Sequence, residues 1–321
     1  MDLSVLISPL TRGAYFSEYI DLARAEFEAT FPDTEVEVVQ QGGLDFLHTK
    51  LPEDALQTLA RLSFVQGAFT RREDGALTPL PLEHAFLLPR ELIFGVRYQG
   101  KTNELVTQMA INIGLQYCQT ERTQKTLLDP MAGRGTTLLW GLRYGLDVTG
   151  IEQDQKAPLA LHNHIKKQTK LHRLKHSHEK GFVGKKNKKH QGAYAQYTLG
   201  GHRLKFITGD SREAMTLLQK QRFDLIVSDL PYGVQFKGET RRNPQQIIEA
   251  CVDGWLKSLR NGGVMVLIFN QYQPTREALT AAFDKPGYDV QPFTATHRMS
   301  ESIVRDFFVV TSTSVHTEEK T

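Results

Sequence analysis

The sequence is poor in cysteine and lacks long apolar runs. Its 321 residues include two cysteines, Cys118 and Cys251, which form no CxxC pair, so neither a disulfide framework nor a cysteine zinc site is predicted. No run approaches the roughly 18 apolar residues that a membrane span needs, and the first residues lack the basic and small-residue features of a secretory signal. We therefore expect a cytosolic protein with no membrane partner and two reduced core thiols.

Net charge is also low, at a formal value of +3, but it is unevenly distributed. Residues 166–190, called the basic insert below, hold nine lysines and one arginine against the single acid Glu179. The insert thus carries +9, which leaves −6 on the rest of the chain. Such lysines can neutralise RNA phosphates, and a solvated loop explains the same composition equally well. Metal binding by His172 and His176 is disfavoured because the surrounding lysines repel a cation.

The spacing of apolar residues divides the chain into two domains. Residues 1–70 have the order β-α-β-β-α-β of a small α+β ferredoxin-like domain. Charge, glycine and two prolines without periodicity predict a linker over 71–95. Over 96–315 strands alternate with longer helices, which predicts an α/β, Rossmann-like domain whose sheet is mostly parallel with an antiparallel C-terminal strand. Residues 316–321 form a tail.

A glycine-rich turn follows the first strand of the second domain. Asp129 ends this strand, and Gly133 and Gly135 allow the backbone to turn tightly near a ligand. A dinucleotide-binding turn would carry a third glycine where Leu138 stands, and an acid before the turn suits a cationic or hydroxyl-bearing ligand better than a pyrophosphate. NAD or FAD is therefore the minor interpretation, and an ordinary strand-to-helix turn is the structural alternative.

Two further acids follow the next two strands. Glu152 can accept hydrogen bonds from both hydroxyls of a ribose, whereas Asp154 is better explained as a helix cap. Asp210 can bond an adenine amino group or cap the helix that begins at Ser211. Each acid alone has a structural explanation, but acids at three successive strand ends line the edge where open α/β sheets bind ligands.

The stretch "IVSDLPYG" places a carboxylate, a rigid turn and an aromatic ring at the end of the fourth strand. Asp229 and the Leu230 carbonyl can accept hydrogen bonds from an exocyclic base amine and hold it in line with a methyl donor. Pro231 would fix the turn, and Tyr232 would stack on the base. The pattern predicts amine methylation; a capped strand-to-loop turn is the alternative.

In order and spacing, "DPMAGRGTT", "GIEQD", "TGDSRE" and "SDLPYG" resemble motifs I to IV of class I S-adenosylmethionine-dependent methyltransferases that act on amines. With the preceding "RYQGKTNELVTQMAINIGL", the chain resembles the guanine-N2 tRNA methyltransferases related to Trm11 and the THUMP-containing enzymes. The resemblance covers about residues 96–312. It implies S-adenosylmethionine as cofactor, no metal, and RNA as partner, with guanine N2 of tRNA as the target.

The resemblance also assigns residues to roles. The catalytic residues would be Asp229, Leu230, Pro231 and Tyr232. The cofactor-binding residues would be Thr102, Asn103, Asp129, Met131, Gly133, Gly135, Glu152, Asp210 and Asp229. Two alternatives stay open: an adenine-N6 methyltransferase acting on DNA or RNA, and a catalytically silent RNA-binding protein that keeps the fold.

The sequence departs from the family pattern in two places. Leu230 stands where the first proline of the usual Asp-Pro-Pro-Tyr motif would be, which preserves the carbonyl but is expected to loosen the turn. The N-terminal region is too short for a ferredoxin-like domain and a full THUMP module. RNA contact is therefore expected from the N-terminal domain and the basic insert. A helix cap at Thr102 and Asn103 explains those residues as well as a cofactor contact does.

Overall fold

The computed structural model describes residues 1–82, 85–94, 103–186, 189–231 and 244–313, which form two sheets. The first sheet contains β1 (Asp2–Ile7), β2 (Val36–Gln41), β3 (Leu44–Lys50), β4 (Val65–Arg71) and β5 (Leu77–Leu80). Its helices are α1 (Leu10–Tyr15), α2 (Tyr19–Thr30) and α3 (Leu56–Leu59). The strands are ordered β2-β3-β1-β4-β5 and each neighbouring pair is antiparallel. The first four strands have the ferredoxin-like order predicted from the sequence.

The second sheet has ten strands in the described part of the chain. They are β6 (Thr126–Asp129), β7 (Asp147–Glu152), β8 (His176–Lys186), β9 (Lys189–Leu199), β10 (His202–Thr208), β11 (Phe223–Asp229), β12 (Leu259–Asn270), β13 (Tyr288–Gln291), β14 (His297–Ser300) and β15 (Ile303–Ser312). The accompanying helices are α4 (Glu91–Phe94), α5 (Glu104–Tyr117), α6 (Thr136–Arg143), α7 (Ala157–Leu171), α8 (Ala214–Leu217), α9 (Pro244–Lys257) and α10 (Arg276–Phe283). Within the described ranges, none of the helices has the length and apolar character required to cross a membrane.

Five central strands of this sheet, in the order β12-β11-β6-β7-β10, are parallel to one another. Their carboxyl ends therefore lie along one edge, called the carboxyl edge below. The chain order of the strands reverses between β6 and β11, and such a switch point is where open α/β sheets bind ligands. The strand β15 is antiparallel to β12, so the predicted fold class is confirmed.

The interval 71–95, predicted as a linker, contains regular structure where it is described. The strand β5 pairs with β4 at the border of the first sheet, and α4 contributes the buried Leu92 and Ile93 to the core of the second domain. Four residues are too few to show a two-residue period, and Pro79 suggested a loop. An outermost strand tolerates proline because one of its sides makes no ladder hydrogen bonds.

The basic insert is not a loop over most of its length. It begins in the last turns of α7, continues through β8 and ends at the start of β9. Antiparallel pairing of β8 with β9, and of β9 with β10, extends the sheet by a hairpin. The lysines concealed the strand because charged residues weaken an apolar alternation pattern.

A buried polar network joins the two domains. Glu26 of α2 is fully buried, and its carboxylate accepts hydrogen bonds from the Ser63 amide at 3.0 Å and the Asn112 amide group at 2.6 Å. Asn112, in α5, also donates to the Arg61 carbonyl and accepts from the Tyr144 hydroxyl. Burial raises the pKa of Glu26 to about 7 although Asn112 and Ser63 donate to it. Polar groups of both domains thus depend on one another for their partners.

Candidate active site

Asp129 ends β6 at the switch point and is 2% exposed. Its Oδ1 accepts hydrogen bonds from the Met131 amide at 3.0 Å and from the Ser228 hydroxyl of the adjacent β11 at 2.7 Å. Burial raises the pKa of Asp129 to about 7, against the opposing effect of these donors and of Thr137. The carboxyl group therefore shapes the turn after β6 and links it to β11.

Glu152 ends β7 and anchors the glycine-rich turn from the neighbouring strand. Its two carboxylate oxygens accept hydrogen bonds from the Gly133 and Asp154 amides, each at 2.8 Å. Gly133 and Gly135 have φ values of 52° and 86°, which favour glycine and confirm the tight turn. Burial raises the pKa of Glu152. The Asp154 carboxylate accepts from the Lys156 amide at the start of α7, in agreement with a capping role.

Asp210 lies just after β10 and is held by an arginine. Its carboxylate accepts from the Arg212 backbone amide at 2.9 Å and from the Arg212 guanidinium at 3.0 Å. The hydrogen bond from the guanidinium lowers the pKa of Asp210. Asp210 thus caps the short helical turn that follows and remains ionised.

Asp229 ends β11 and is held by a second arginine, which sequence reasoning missed. The Arg305 guanidinium of β15 lies 3.3 Å from the Asp229 carboxylate, and the two side chains are 3% and 10% exposed. Arg305 reaches Asp229 across β12, where it pairs in register with Asn270. The available signal was a charged pair, Arg305 and Asp306, inside an otherwise apolar strand, because a buried cation requires a partner.

Leu230 is anchored through its amide and its side chain. Its amide donates to the Ile268 carbonyl at 2.8 Å, and its side chain is 1% exposed in the core. Proline could not make this hydrogen bond because it has no N–H. This hydrogen bond completes the pairing of Asp229 with Ile268 at the end of β11, and the expectation that leucine loosens the turn stays a prediction. Pro231 follows directly, whereas Tyr232 lies outside the described residues.

Asn103 is the N-cap of α5. Its side-chain oxygen accepts from the Leu105 and Val106 amides at 2.9 and 3.4 Å. The opposite end of α5 lies near the start of β12, because the Gln119 amide donates to the Gly262 carbonyl. The helix thus runs back along the sheet, and Asn103 faces the carboxyl edge at its N-terminal end. Thr102 lies outside the described residues.

The fold brings the described acids together at the carboxyl edge. After the roles that the sequence predicts for them, we call the ends of β6, β7 and β10 with Asp129, Glu152 and Asp210 the cofactor half. The end of β11 with Asp229 and Leu230 is called the substrate half. Across the described part of the chain, no group of three or more histidine, cysteine or acidic side chains is arranged to hold a metal ion. The edge offers hydrogen-bond acceptors, with arginines compensating two of the four carboxylates.

Comparison with known protein families identifies one that covers most of the second domain. A family model described as RMKL-like, methyltransferase domain, matches residues 97–291, more than half of the chain. The comparison with curated proteins gave no match.

Solved structures similar to this chain include the following three. TrmN from Thermus thermophilus is 16% identical, with a TM-score of 0.46; the match covers 87% of this chain and 60% of TrmN. The 16S rRNA N2 methyltransferase RsmC from T. thermophilus, solved with AdoMet and guanosine, is 19% identical, with a TM-score of 0.41 and coverage of 93% and 62%. A methyltransferase from Pyrococcus furiosus is 12% identical, with a TM-score of 0.43 and coverage of 70% and 92%.

The cofactor half fits S-adenosylmethionine chemically. The ligand carries cationic ammonium and sulfonium groups, ribose hydroxyls and a neutral adenine amine. The buried Asp129 and the half-buried Glu152 have raised pKa values and suit cations and hydroxyls, and the ionised Asp210 suits an amine donor. With a family model matching most of its second domain, the chain belongs to the RMKL-like methyltransferase domain family, and S-adenosylmethionine is its cofactor.

Proposed function

We propose that this chain methylates an exocyclic amine of an RNA base, and that the target is guanine N2 in tRNA. The observation that carries the proposal is the Asp229 carboxylate, which lies at the end of β11 beside the switch point and is held by the buried Arg305 at 3.3 Å. A fixed carboxylate followed by an anchored carbonyl and a proline is an acceptor array that matches the two N–H donors of a base amine.

Methylation of a base amine requires that the amine be oriented toward the methyl donor more than that a general base deprotonate it. The nitrogen lone pair of an exocyclic amine is delocalised into the ring, so the free amine is a poor nucleophile. Asp229 and the Leu230 carbonyl accept its two N–H groups and turn the lone pair toward the methyl donor. Leu230 is suited to this task because both its amide and its side chain are fixed in the fold. Pro231 limits the turn, and Tyr232 is proposed to stack on the base.

Arg305 is proposed to act through Asp229. An arginine beside a carboxylate favours the ionised form and fixes its direction. The ionised oxygen accepts a hydrogen bond from the amine. As the nitrogen–methyl bond forms, the sulfur–methyl bond of the donor would break and leave a neutral thioether, and the extra proton on nitrogen would pass to solvent. Arg305 is therefore a positioning residue.

The cofactor half receives the methyl donor. S-adenosylmethionine supplies an electrophilic methyl group when bound. Glu152 is proposed to accept from the ribose hydroxyls, since each of its oxygens keeps a second lone pair after binding Gly133 and Asp154. Asp210 is proposed to accept from the adenine amine, with Arg212 fixing its direction. The remaining proposed cofactor contacts are Thr102, Asn103, Asp129, Met131, Gly133, Gly135 and, as a minor contact, Asp229, with Thr102 and Asn103 toward the methionine end.

The proposal is tested by methyl transfer from labelled S-adenosylmethionine to unmodified tRNA, followed by mass spectrometry of the nucleosides. We expect labelled N2-methylguanosine from the parent protein and none from Asp229→Ala. Labelled N6-methyladenosine would replace guanine by adenine as the target. Cofactor binding without transfer to tRNA, ribosomal RNA or DNA would contradict the proposed activity and favour a silent RNA-binding protein.

A further inference from the structure

The hairpin of β8 and β9 extends past the carboxyl edge. The last residue of β10, Thr208, pairs with Ala193 of β9, whereas β9 begins at Lys189. Residues 189–192 therefore continue beyond the end of β10 by about 13 Å, at roughly 3.3 Å per residue. Their partners in β8 extend with them, since Lys185 pairs with His190 and Lys186 with Lys189. Residues 184–186 and 189–192 are called the ribbon tip below.

The ribbon tip stands beside the cofactor half. A Cβ atom added to Gly192 would lie 2.9 Å from the Thr208 carbonyl oxygen, and one added to Gly184 would lie 3.2 Å from the Thr216 side chain in α8. The ribbon thus packs closely against the end of β10 and against the helix that follows Asp210. This packing fixes the direction in which the ribbon leaves the sheet.

The ribbon tip carries positive charge without acids in its own sequence. No acidic residue occurs between Glu179 and Asp210, a stretch that includes Lys185, Lys186 and Lys189. An alternative explanation of lysines on an outermost strand is that they prevent edge-to-edge aggregation and bind no ligand. Such protection requires charge along the strand. In β8, the uncharged run 181–184 separates Lys180, which follows Glu179, from Lys185 and Lys186 at the end where the ribbon leaves the sheet.

We propose that the ribbon tip binds the phosphate backbone of the RNA that the site methylates, at nucleotides that flank the target base. The inference rests on the proposed function. In the sheet, β9 lies four strands from β11 and β8 lies five. At about 4.8 Å per strand, the ribbon stands roughly 19 to 24 Å from Asp229, which is too far to contact the target nucleotide itself. Lysines on flexible stems contact phosphates without reading bases, so the ribbon supplies affinity and not base choice.

Two variants of equal charge test where on the protein the RNA backbone binds. The tip variant replaces Lys185, Lys186 and Lys189 with alanine. The control variant replaces Lys166, Lys167 and Lys170, which belong to the same insert but lie exposed in the last turns of α7. These turns lead into His176, which pairs with Leu199 near the start of β10, at the edge opposite the ribbon tip. The two variants remove the same charge from opposite edges of the sheet.

We expect the tip variant to weaken binding of unmodified tRNA about tenfold at low salt. For a single strand, the slope of log affinity against log salt becomes shallower by about 0.7 for each phosphate that is no longer neutralised, so removing three lysines should reduce the slope by close to 2. KM for RNA should rise, while kcat and cofactor affinity stay at parent values. The control variant should change RNA affinity less than twofold. Hydroxyl-radical footprints of the tip variant should show weaker protection at phosphates away from the methylated nucleotide, with protection around that nucleotide retained.

Salt slopes and affinities of the tip variant that coincide with those of the parent would overturn the inference. Equal reductions of affinity in both variants would also overturn it, because they would show a general effect of charge. Failure of the proposed function can be told apart from failure of this inference. The first appears as absence of methyl transfer by the parent protein, whereas the second is measured by RNA binding of the variants alone.

Discussion

The four acids of the carboxyl edge fall into two pairs that are held in different ways. Asp129 and Glu152 accept from backbone amides and, at Asp129, a serine hydroxyl, and burial raises the pKa of both. Asp210 and Asp229 are each held by an arginine. Among the described residues, the hydrogen-bond donors that hold Asp129 and Glu152 are uncharged, so this pair suits a ligand that brings cations, whereas the arginine-held pair is compensated and suits neutral amines. The proposed ligands divide in the same way.

The largest effect is expected at Asp229. Replacement by alanine should lower turnover by about a hundredfold or more and leave cofactor affinity nearly unchanged, because the variant has no acceptor for the target amine at this position. Single-turnover kinetics and cofactor calorimetry measure the two quantities separately. Parent-like single-turnover rates would mean that the turn after β11 is only structural.

Replacing Glu152 should lower cofactor affinity, the quantity that the Asp229 variant leaves nearly unchanged. Glu152→Ala is expected to weaken S-adenosylmethionine binding by about 1 to 3 kcal/mol, since it removes the partner of the ribose hydroxyls and the anchor of Gly133. Asp154→Ala is the matched control, because it removes a carboxylate on the same edge that caps α7. Calorimetry showing unchanged affinity for Glu152→Ala, or equal reductions in both variants, would contradict the assignment.

Variants of Arg305 test whether its ion pair with Asp229 contributes to catalysis or only to folding. Arg305→Gln should lower turnover about tenfold and move the acidic limb of the pH–rate profile to higher pH, because Asp229 is then without the cation that favours its ionised form. Arg305→Lys should restore the profile in part. In a double-mutant cycle, Arg305→Gln should add little to Asp229→Ala. An unshifted profile in a folded Arg305→Gln protein would assign the ion pair to structure alone.

The smallest effect concerns pH and the amide-held pair. The pKa of Asp129 is raised to about 7, so a cationic ligand binds the ionised form better and shifts the equilibrium toward it. Cofactor affinity should therefore increase several-fold as pH rises from 6 to 8. Calorimetry across this range should show the increase in the parent and a reduced increase in Asp129→Asn. A flat dependence in the parent would show that the cofactor's cations lie away from Asp129.

The sequence predicts the acids of the carboxyl edge well because each follows a strand of strong apolar character. The hydrogen-bond partners of these acids are of two types, backbone amides close in sequence and side chains distant in sequence. Backbone amides at Met131, Gly133 and Arg212 come from the same strand-to-turn patterns that reveal the acids. Arg305 and Ser228 reach their partners across strands from 76 and 99 residues away, and such pairing is decided by strand order, which a single sequence does not display.

The hairpin and the anchored leucine were missed for a similar reason. Strands β8 and β9 are stabilised by pairing with β10, so their own sequence needs no clear alternation. Leu230 departs from the family motif at one position, and its amide donates a hydrogen bond to the Ile268 carbonyl that proline could not make. Local composition predicted flexibility for the basic insert and for Leu230. In the structure, both are held by hydrogen bonds to neighbouring strands.

The polar network around Glu26 bears on whether the two domains are exchangeable modules. The family match begins at residue 97, which invites the idea of a catalytic unit that could be fused to another N-terminal domain. Yet Asn112 and Tyr144 find their partners on Glu26 and on the Arg61 carbonyl, outside that unit. A fragment cut at the family boundary would expose these groups together with the apolar face of α5 that packs on α2. We therefore expect the smallest autonomously folding unit to include the first sheet, and exchanging that sheet for another domain would require rebuilding the face of the second domain that receives it.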